Sequence, residues 1–227
     1  MNAKSSNHTL NVTPNVTPNV VGICGLIGSG KDTLASCLIQ ELGYTKMSFA
    51  DALKDVVSNV FGWNRQLLEG DTKESRDWRN QVDEWWSNRL GIEVTPRLAL
   101  QLVGTNLFRN VLHKDIWVAC LERRLYTLLA QGKKVVVSDC RFQNELDAIK
   151  QAGGITIKIH RGMMDLEVHT LAMHAAQGEK EAIELLENKG IHASEWNVMT
   201  CQVDYLLHND DTISVLCDKA KAILQNK

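Results

Sequence analysis

An apolar run that stops in a cluster of glycines and a lysine constrains this chain more than anything else in it. Val20-Val21-Gly22-Ile23-Cys24 leads into Gly25-Leu26-Ile27-Gly28-Ser29-Gly30-Lys31-Asp32-Thr33, after which a helical pattern begins. A short continuous apolar run bounded by a turn predicts a strand buried on both faces. Glycines let backbone N–H groups turn inward around an anion, and the helix behind them points its positive end at the same place. Gly25, Gly30 and Lys31 match the phosphate-loop template G-x-x-x-x-G-K-[ST], with Asp32 in the hydroxyl position and Thr33 one residue late. Lys31 adds a point charge for the phosphates.

Downstream, strand and helix patterns alternate to the end of the chain. Leu34, Cys37, Leu38 and Leu42 give a helix over Thr33–Leu42, stopped by Gly43. A strand is expected over Tyr44–Phe49 and a helix from Ala50 to about Phe61, with Leu53-Lys54 in its first turns. A cation near a helix start is disfavoured by the dipole, so Lys54 is either beside an anionic ligand or solvated. Thr95-Pro96 caps a helix over Arg97–Leu112, on which Arg97, Gln101, Thr105 and Arg109 form one row beside Gly104. That row is read as either ligand-facing or a solvated face. Helices over Asp115–Ala130 and Phe142–Ala152 flank a strand over Lys133–Ser138. Asp139 ends that strand in the manner of a Walker B carboxylate, which holds Mg²⁺ beside a phosphate loop. Arg141 follows it, and Glu145 points back toward the helix start.

Ile155–His160 and Val203–Leu207 complete five strands, and a helix over Thr212–Leu224 closes the chain. Alternation of this kind predicts an α/β fold: a parallel five-stranded sheet of the P-loop NTPase type with helices on both faces. Ligands then bind at the carboxyl ends of the strands. Two helical insertions are expected. Residues 62–94 hold Trp63, Trp78, Trp85 and Trp86 among balanced charges, read as a small subdomain with tryptophans in its core. Residues 161–200, opening with Arg161-Gly162, are read as a lid. Residues 1–19 repeat Asn-Val-Thr-Pro without a core pattern and are read as a flexible leader ahead of a domain over 20–227.

Composition narrows the class of partner. The 227 residues are 44% hydrophobic and 23% charged, with a formal net charge of −2. No basic patch of the kind that binds nucleic acid stands out. No apolar run approaches the ~20 residues that span a bilayer. The N-terminus lacks a signal-peptide pattern, and the cysteines at 24, 37, 120, 140, 201 and 217 lack C-x-x-C spacing. Reduced thiols in a cytoplasmic protein, with no zinc site, are the expectation.

Several pieces taken in order resemble the deoxynucleoside monophosphate kinases of bacteriophages. They are Gly30-Lys31-Asp32-Thr33, Leu53-Lys54, Leu102-Val103-Gly104-Thr105 and Asp115-Ile116-Trp117-Val118, followed by Asp139-Cys140-Arg141 with Glu145 and by Asn209-Asp210. The resemblance covers about residues 20–225. It implies transfer of the γ-phosphoryl of ATP to a deoxynucleoside 5′-monophosphate, in a host cytoplasm if the source is viral. ATP and Mg²⁺ would sit on Gly28–Thr33, with Asp32, Thr33 and Asp139 toward the metal. Leu53, Lys54, Arg76, Arg97, Gln101, Gly104, Thr105 and Trp117 would line the acceptor site. Lys31, Asp139, Arg141, Glu145 and Arg161 would serve the transfer between the two. The partners are then small nucleotides, not nucleic acid or membrane, and the oligomeric state is open, with a homodimer among the options. Two other readings share the phosphate loop: a small-metabolite kinase similar to dephospho-coenzyme A kinases, and an ATPase switch protein.

Overall fold

The computed structural model describes residues 17–162, 166–189, 191 and 196–225. Five parallel strands form one sheet in the order β2-β3-β1-β4-β5. They are β1 (Val20–Cys24), β2 (Thr45–Met47), β3 (Val135–Cys140), β4 (Ile155–His160) and β5 (Tyr205–His208). β1 is central, and its residues alternate between the two faces as a strand's must. Val21 and Ile23 pack with α1 (Lys31–Leu42) and the closing helix, while Val20 and Cys24 face the other layer. At Gly22 a Cβ would stand 2.9 Å from Ile149, so the glycine lets a helix lie close against the strand.

The helices on that second face are α6 (Ile116–Ala130) and α7 (Gln143–Gln151), bringing Leu121, Leu125, Leu146 and Ile149 to the core. β1 therefore sends its helix to one face, and its neighbour β3 sends α7 to the other. The crevice between their carboxyl ends is where open α/β sheets bind ligands. Expected and observed strands agree in number and direction. β2 is shorter than the six residues expected, because Ser48–Ala50 form a turn instead.

Between β2 and β3 the chain builds a helical layer. It contains α2 (Asp51–Phe61), α3 (Lys73–Arg79), α4 (Glu84–Leu90) and α5 (Pro96–Gln101). Thr95 caps α5 by accepting from the Leu98 N–H at 3.1 Å. From Leu102 to Leu112 the same helix widens to π geometry. The expected row at 97, 101, 105 and 109 assumed α spacing, so it does not continue straight through the widened turns. Trp63 is buried in this layer, stacked on Phe61 at 4.3 Å, with Trp78 and Trp86 half-buried around it. Trp85 is exposed and does not join the core.

α8 (Leu166–Ala176) and α9 (Lys180–Asn188) pack on each other and on Trp196. Met163, Met164 and most of the leader lie outside the described residues. The last leader residues are tied to the sheet: Tyr44 Oη donates to the Pro18 carbonyl at 2.6 Å, and the Val135 N–H to that of Asn19 at 2.7 Å. The closing helix is α10 (Ile213–Gln225). The sulfurs of Cys37 on α1 and Cys217 on α10 lie against each other, across 180 residues of sequence. Cysteine spacing gives no sign of this pairing, because the packing of α1 on α10 makes it. Among the described residues no helix is long and apolar enough to cross a membrane.

Candidate active site

β1 ends in a loop that only glycine can follow easily. Gly25, Gly28 and Gly30 have φ of 146°, 77° and 104°. A Cβ at Gly25 would also stand 2.5 Å from the Ile159 carbonyl oxygen. Lys31 Nζ donates across the loop to the Leu26 carbonyl at 2.8 Å. The Ser29 hydroxyl is buried and has no hydrogen-bond partner. An orphaned hydroxyl in a glycine-rich turn ahead of a helix fits an anion's oxygen. Asp32 and Thr33 lie in the first turn of α1. The Asp32 side chain is 81% exposed, and its Oδ1 accepts from Ser138 Oγ at 3.1 Å.

Asp139 lies at the end of β3, where its carboxylate is held by the chain. Its Oδ2 accepts from Ser48 Oγ at 2.5 Å and the Ala50 N–H at 3.0 Å, and its Oδ1 from the Phe49 N–H at 3.0 Å. Both oxygens are engaged by the turn that starts α2, so the carboxylate fixes that turn beside the end of β3. Asp32 and Thr33 remain as an oxygen-rich pair suited to a hard divalent cation.

Lys54 is also accounted for within the chain. It is buried, and its Nζ donates to Glu69 Oε2 at 2.6 Å. Arg65 bonds the other Glu69 oxygen and donates to Asp55 at 2.6 Å. Burial opposes the Glu69 charge, yet Lys54 and Arg65 hold its carboxyl below the usual range. The anion expected beside Lys54 is therefore Glu69. Leu53 fills the space left by Gly104, where a Cβ would meet its side chain at 2.6 Å. Trp117 is 5% exposed and donates from Nε1 to the Gly104 carbonyl at 2.9 Å. Leu53, Gly104 and Trp117 pack against one another as one wall. The Trp117 bond satisfies a carbonyl in the π-helical turns, which explains why an indole is needed there. Gln101 and Thr105 are half-buried on the same helix.

The cations behave differently. Arg76 is exposed, and its Nη1 donates to the Asp71 carbonyl at 2.9 Å. Arg79, absent from the sequence reading, points inward. Its Nε is buried without a partner. Burial lowers its pKa, and Arg97, Arg141 and Arg76 lower it further, with Glu69 the opposing pull. Its guanidinium lies over Gly70, where a Cβ would approach Nη2 to 2.0 Å. A signal existed in the sequence. Ser75 and Trp78 mark the inward side of α3, and Arg79 adjoins Trp78, whereas Arg76 faces out.

Arg141 stands between the two regions. Cys140 pairs with Cys24 across β3 and β1, so Arg141 and Gly25 leave the sheet side by side. Glu145 Oε2 accepts from the Arg141 and Phe142 N–H groups at 2.7 and 3.2 Å. Its Oε1 accepts from Arg109 Nη2 at 2.7 Å, and that guanidinium covers the Phe142 ring at 3.9 Å. Burial pushes the Glu145 carboxyl up to about 7, against the pull of Arg109. Glu145 is thus buried and holds Arg141 through its backbone. Arg161 is exposed at the end of β4, beside a cavity of ≈ 320 Å³ lined by Ser29, His160, Met173 and His208 among others.

Comparison with known proteins adds an independent line. Residues 64–178 match the family model of deoxynucleotide monophosphate kinases. A protein of Acanthamoeba polyphaga mimivirus, provisionally named a deoxynucleotide monophosphate kinase, is 34% identical, covering 80% of this chain and 95% of that one. The deoxynucleoside-5′-monophosphate kinase of Escherichia phage T5 is 26% identical over 58% of this chain and 72% of its own. Among solved structures, the dephospho-CoA kinase of Campylobacter jejuni aligns at 14% identity with a TM-score of 0.48, covering 92% and 98% of the two chains.

Proposed function

The chain belongs to the deoxynucleotide monophosphate kinases, and we propose that its glycine loop and its arginine basin are the donor and acceptor halves of one transfer centre. ATP occupies the loop, and the 5′-phosphate of a deoxynucleoside monophosphate occupies the basin. One observation carries this reading. Two buried side-chain polar atoms among the described residues lack a hydrogen-bond partner, Ser29 Oγ and Arg79 Nε. One lies in each half. Buried polar groups are nearly always satisfied, so one orphan in the glycine loop and one among the arginines support a site for an anion in each half.

The chemistry follows from charge and position. A phosphate oxygen of the acceptor bonds to the γ-phosphorus while the bond to the β,γ-bridging oxygen breaks, leaving ADP and a deoxynucleoside diphosphate. The nucleophile is already an anion, so no strong base is required. The obstacle is repulsion between two polyanions, which the protein must offset while holding them in line. Arg79 and Arg97 receive the acceptor phosphate. Arg141, held by Glu145 and adjacent to both halves, bridges phosphate oxygens with paired hydrogen bonds. Lys31 moves from the Leu26 carbonyl to the donor phosphates. Asp32 and Thr33 would hold Mg²⁺, which when bound neutralises charge on the triphosphate. Arg161 and the 161–200 segment close over the cavity beside the loop and exclude water.

A coupled assay with ATP, Mg²⁺ and each common deoxy- and ribonucleoside monophosphate tests this. ADP release that depends on a deoxynucleotide is expected. ATP hydrolysis that ignores the acceptor, or transfer only to dephospho-coenzyme A, would contradict it.

A further inference from the structure

The turn after β5 reaches two distant places at once. Asn209 is 9% exposed, and its backbone N–H donates to the His160 carbonyl at 2.7 Å. Its side-chain amide donates to the Ser29 carbonyl at 2.9 Å, across 180 residues of sequence. A Cβ at Gly30 would stand 2.4 Å from that amide nitrogen, so the loop approaches as closely as a glycine permits. The next residue, Asp210, accepts from the Gly162 N–H at 2.6 Å. Gly162 has φ 58° and is where the chain leaves β4 for α8. β4 and β5 are already paired from Ile157 with Tyr205 to His160 with His208, so neither side-chain contact is needed to build the sheet.

We propose that Asn209 and Asp210 are positioning residues for the donor nucleotide, tying the phosphate loop to the root of the 161–200 segment. The argument is geometric. The Ser29 carbonyl and the Gly30 N–H belong to one trans peptide unit and point in opposite directions. Holding the carbonyl on Asn209 aims the Gly30 N–H to the far side, into the phosphate ring. Asp210 holds Gly162 at the end of β4, so a displacement of α8 is felt at the same turn. The inference rests on the phosphoryl-transfer reading above, in which ATP sits on the glycine loop.

The test compares Asn209→Leu, Asp210→Ala and Asp210→Asn with wild type. Calorimetry measures binding of a non-hydrolysable ATP analogue and, separately, of a deoxynucleoside monophosphate. Hydrogen exchange follows α8. Asn209→Leu leaves the Ser29 carbonyl unsatisfied and should weaken analogue binding about tenfold or more. Acceptor binding should stay within about twofold, a split that general loosening of the fold would not give. Asp210→Ala should lose the protection that the analogue confers on α8, and Asp210→Asn, which keeps an acceptor oxygen, should restore it. Asp210 is exposed, so it carries the test if Asn209→Leu does not fold. Equal weakening toward both ligands, unchanged analogue binding, or unchanged α8 protection in Asp210→Ala would overturn the proposal while leaving the kinase reading intact. A wild type that binds neither ligand would instead overturn that reading.

Discussion

Replacing Arg109 by Met should expose how the transfer centre is braced. The Arg109 and Glu145 side chains are 10% and 3% exposed, and they meet at 2.7 Å. Methionine keeps much of the apolar length that covers Phe142 and removes the charge. Breaking a buried pair from one side costs about 3–5 kcal/mol, because the remaining charge has lost its partner. That is a large share of the roughly 5–15 kcal/mol that keeps a domain folded. The loss should also depend on pH, with a definite sign. Burial already raises the folded Glu145 pKa from 4.5 to about 7. The stability linked to this group is therefore full below 4.5 and is lost as pH rises through about 7. Without Arg109, the largest opposing pull disappears and the folded pKa rises further. Near pH 5 Glu145 carries its proton in both proteins, so the deficit is small. Near pH 8.5 wild type holds a paired carboxylate, whereas the variant must take up a proton or bury a lone charge. Urea unfolding of both proteins at these two pH values measures the difference. Adding Glu145→Gln should recover part of the deficit and remove its pH dependence. A deficit below about 1 kcal/mol, the range of exposed pairs, or one equal at both pH values would refute the reasoning.

Two further outcomes follow from the same structure. Lys31→Ala should lower turnover at least about a hundredfold with an unchanged circular dichroism spectrum, and near-normal turnover would remove the donor site from the loop. Gly70→Ala places a Cβ at φ 70° and 2.0 Å from the Arg79 guanidinium; it should raise KM for the deoxynucleotide and spare KM for ATP, as steady-state kinetics would report.

What the sequence disclosed and what it hid divide along a physical line. Features carried by adjacent residues were legible: the glycine loop, the buried strands, and the order of helices that forces a parallel sheet. Glu145 was legible as a residue pointing back at its helix start. What escaped were partnerships between residues far apart in sequence. Lys54 finds Glu69 fifteen residues on, and Asp139 finds the Ser48–Ala50 turn from ninety residues away. Either carboxylate or cation alone reads equally well as ligand-facing. Gly104 is a place of close approach, and the approaching group is Leu53, a neighbour that spacing does not reveal. The π-helical turns escaped because a pattern with α period looks the same until the widened turns shift its row. Arg79 escaped because the phase of a seven-residue helix is set by few positions, and Arg76 offered the same chemistry one face away.

The central claim is that the basin around Arg79 receives the acceptor's phosphate. Calorimetric binding of a deoxynucleoside monophosphate and of the matching deoxynucleoside, to wild type and to Arg79→Met, tests it most directly. The account predicts that the substitution weakens nucleotide binding by about tenfold to a hundredfold, the cost of one charge-assisted contact. Binding of the phosphate-free nucleoside should be the same in both proteins. Equal loss for nucleoside and nucleotide, or no loss for either, would contradict it.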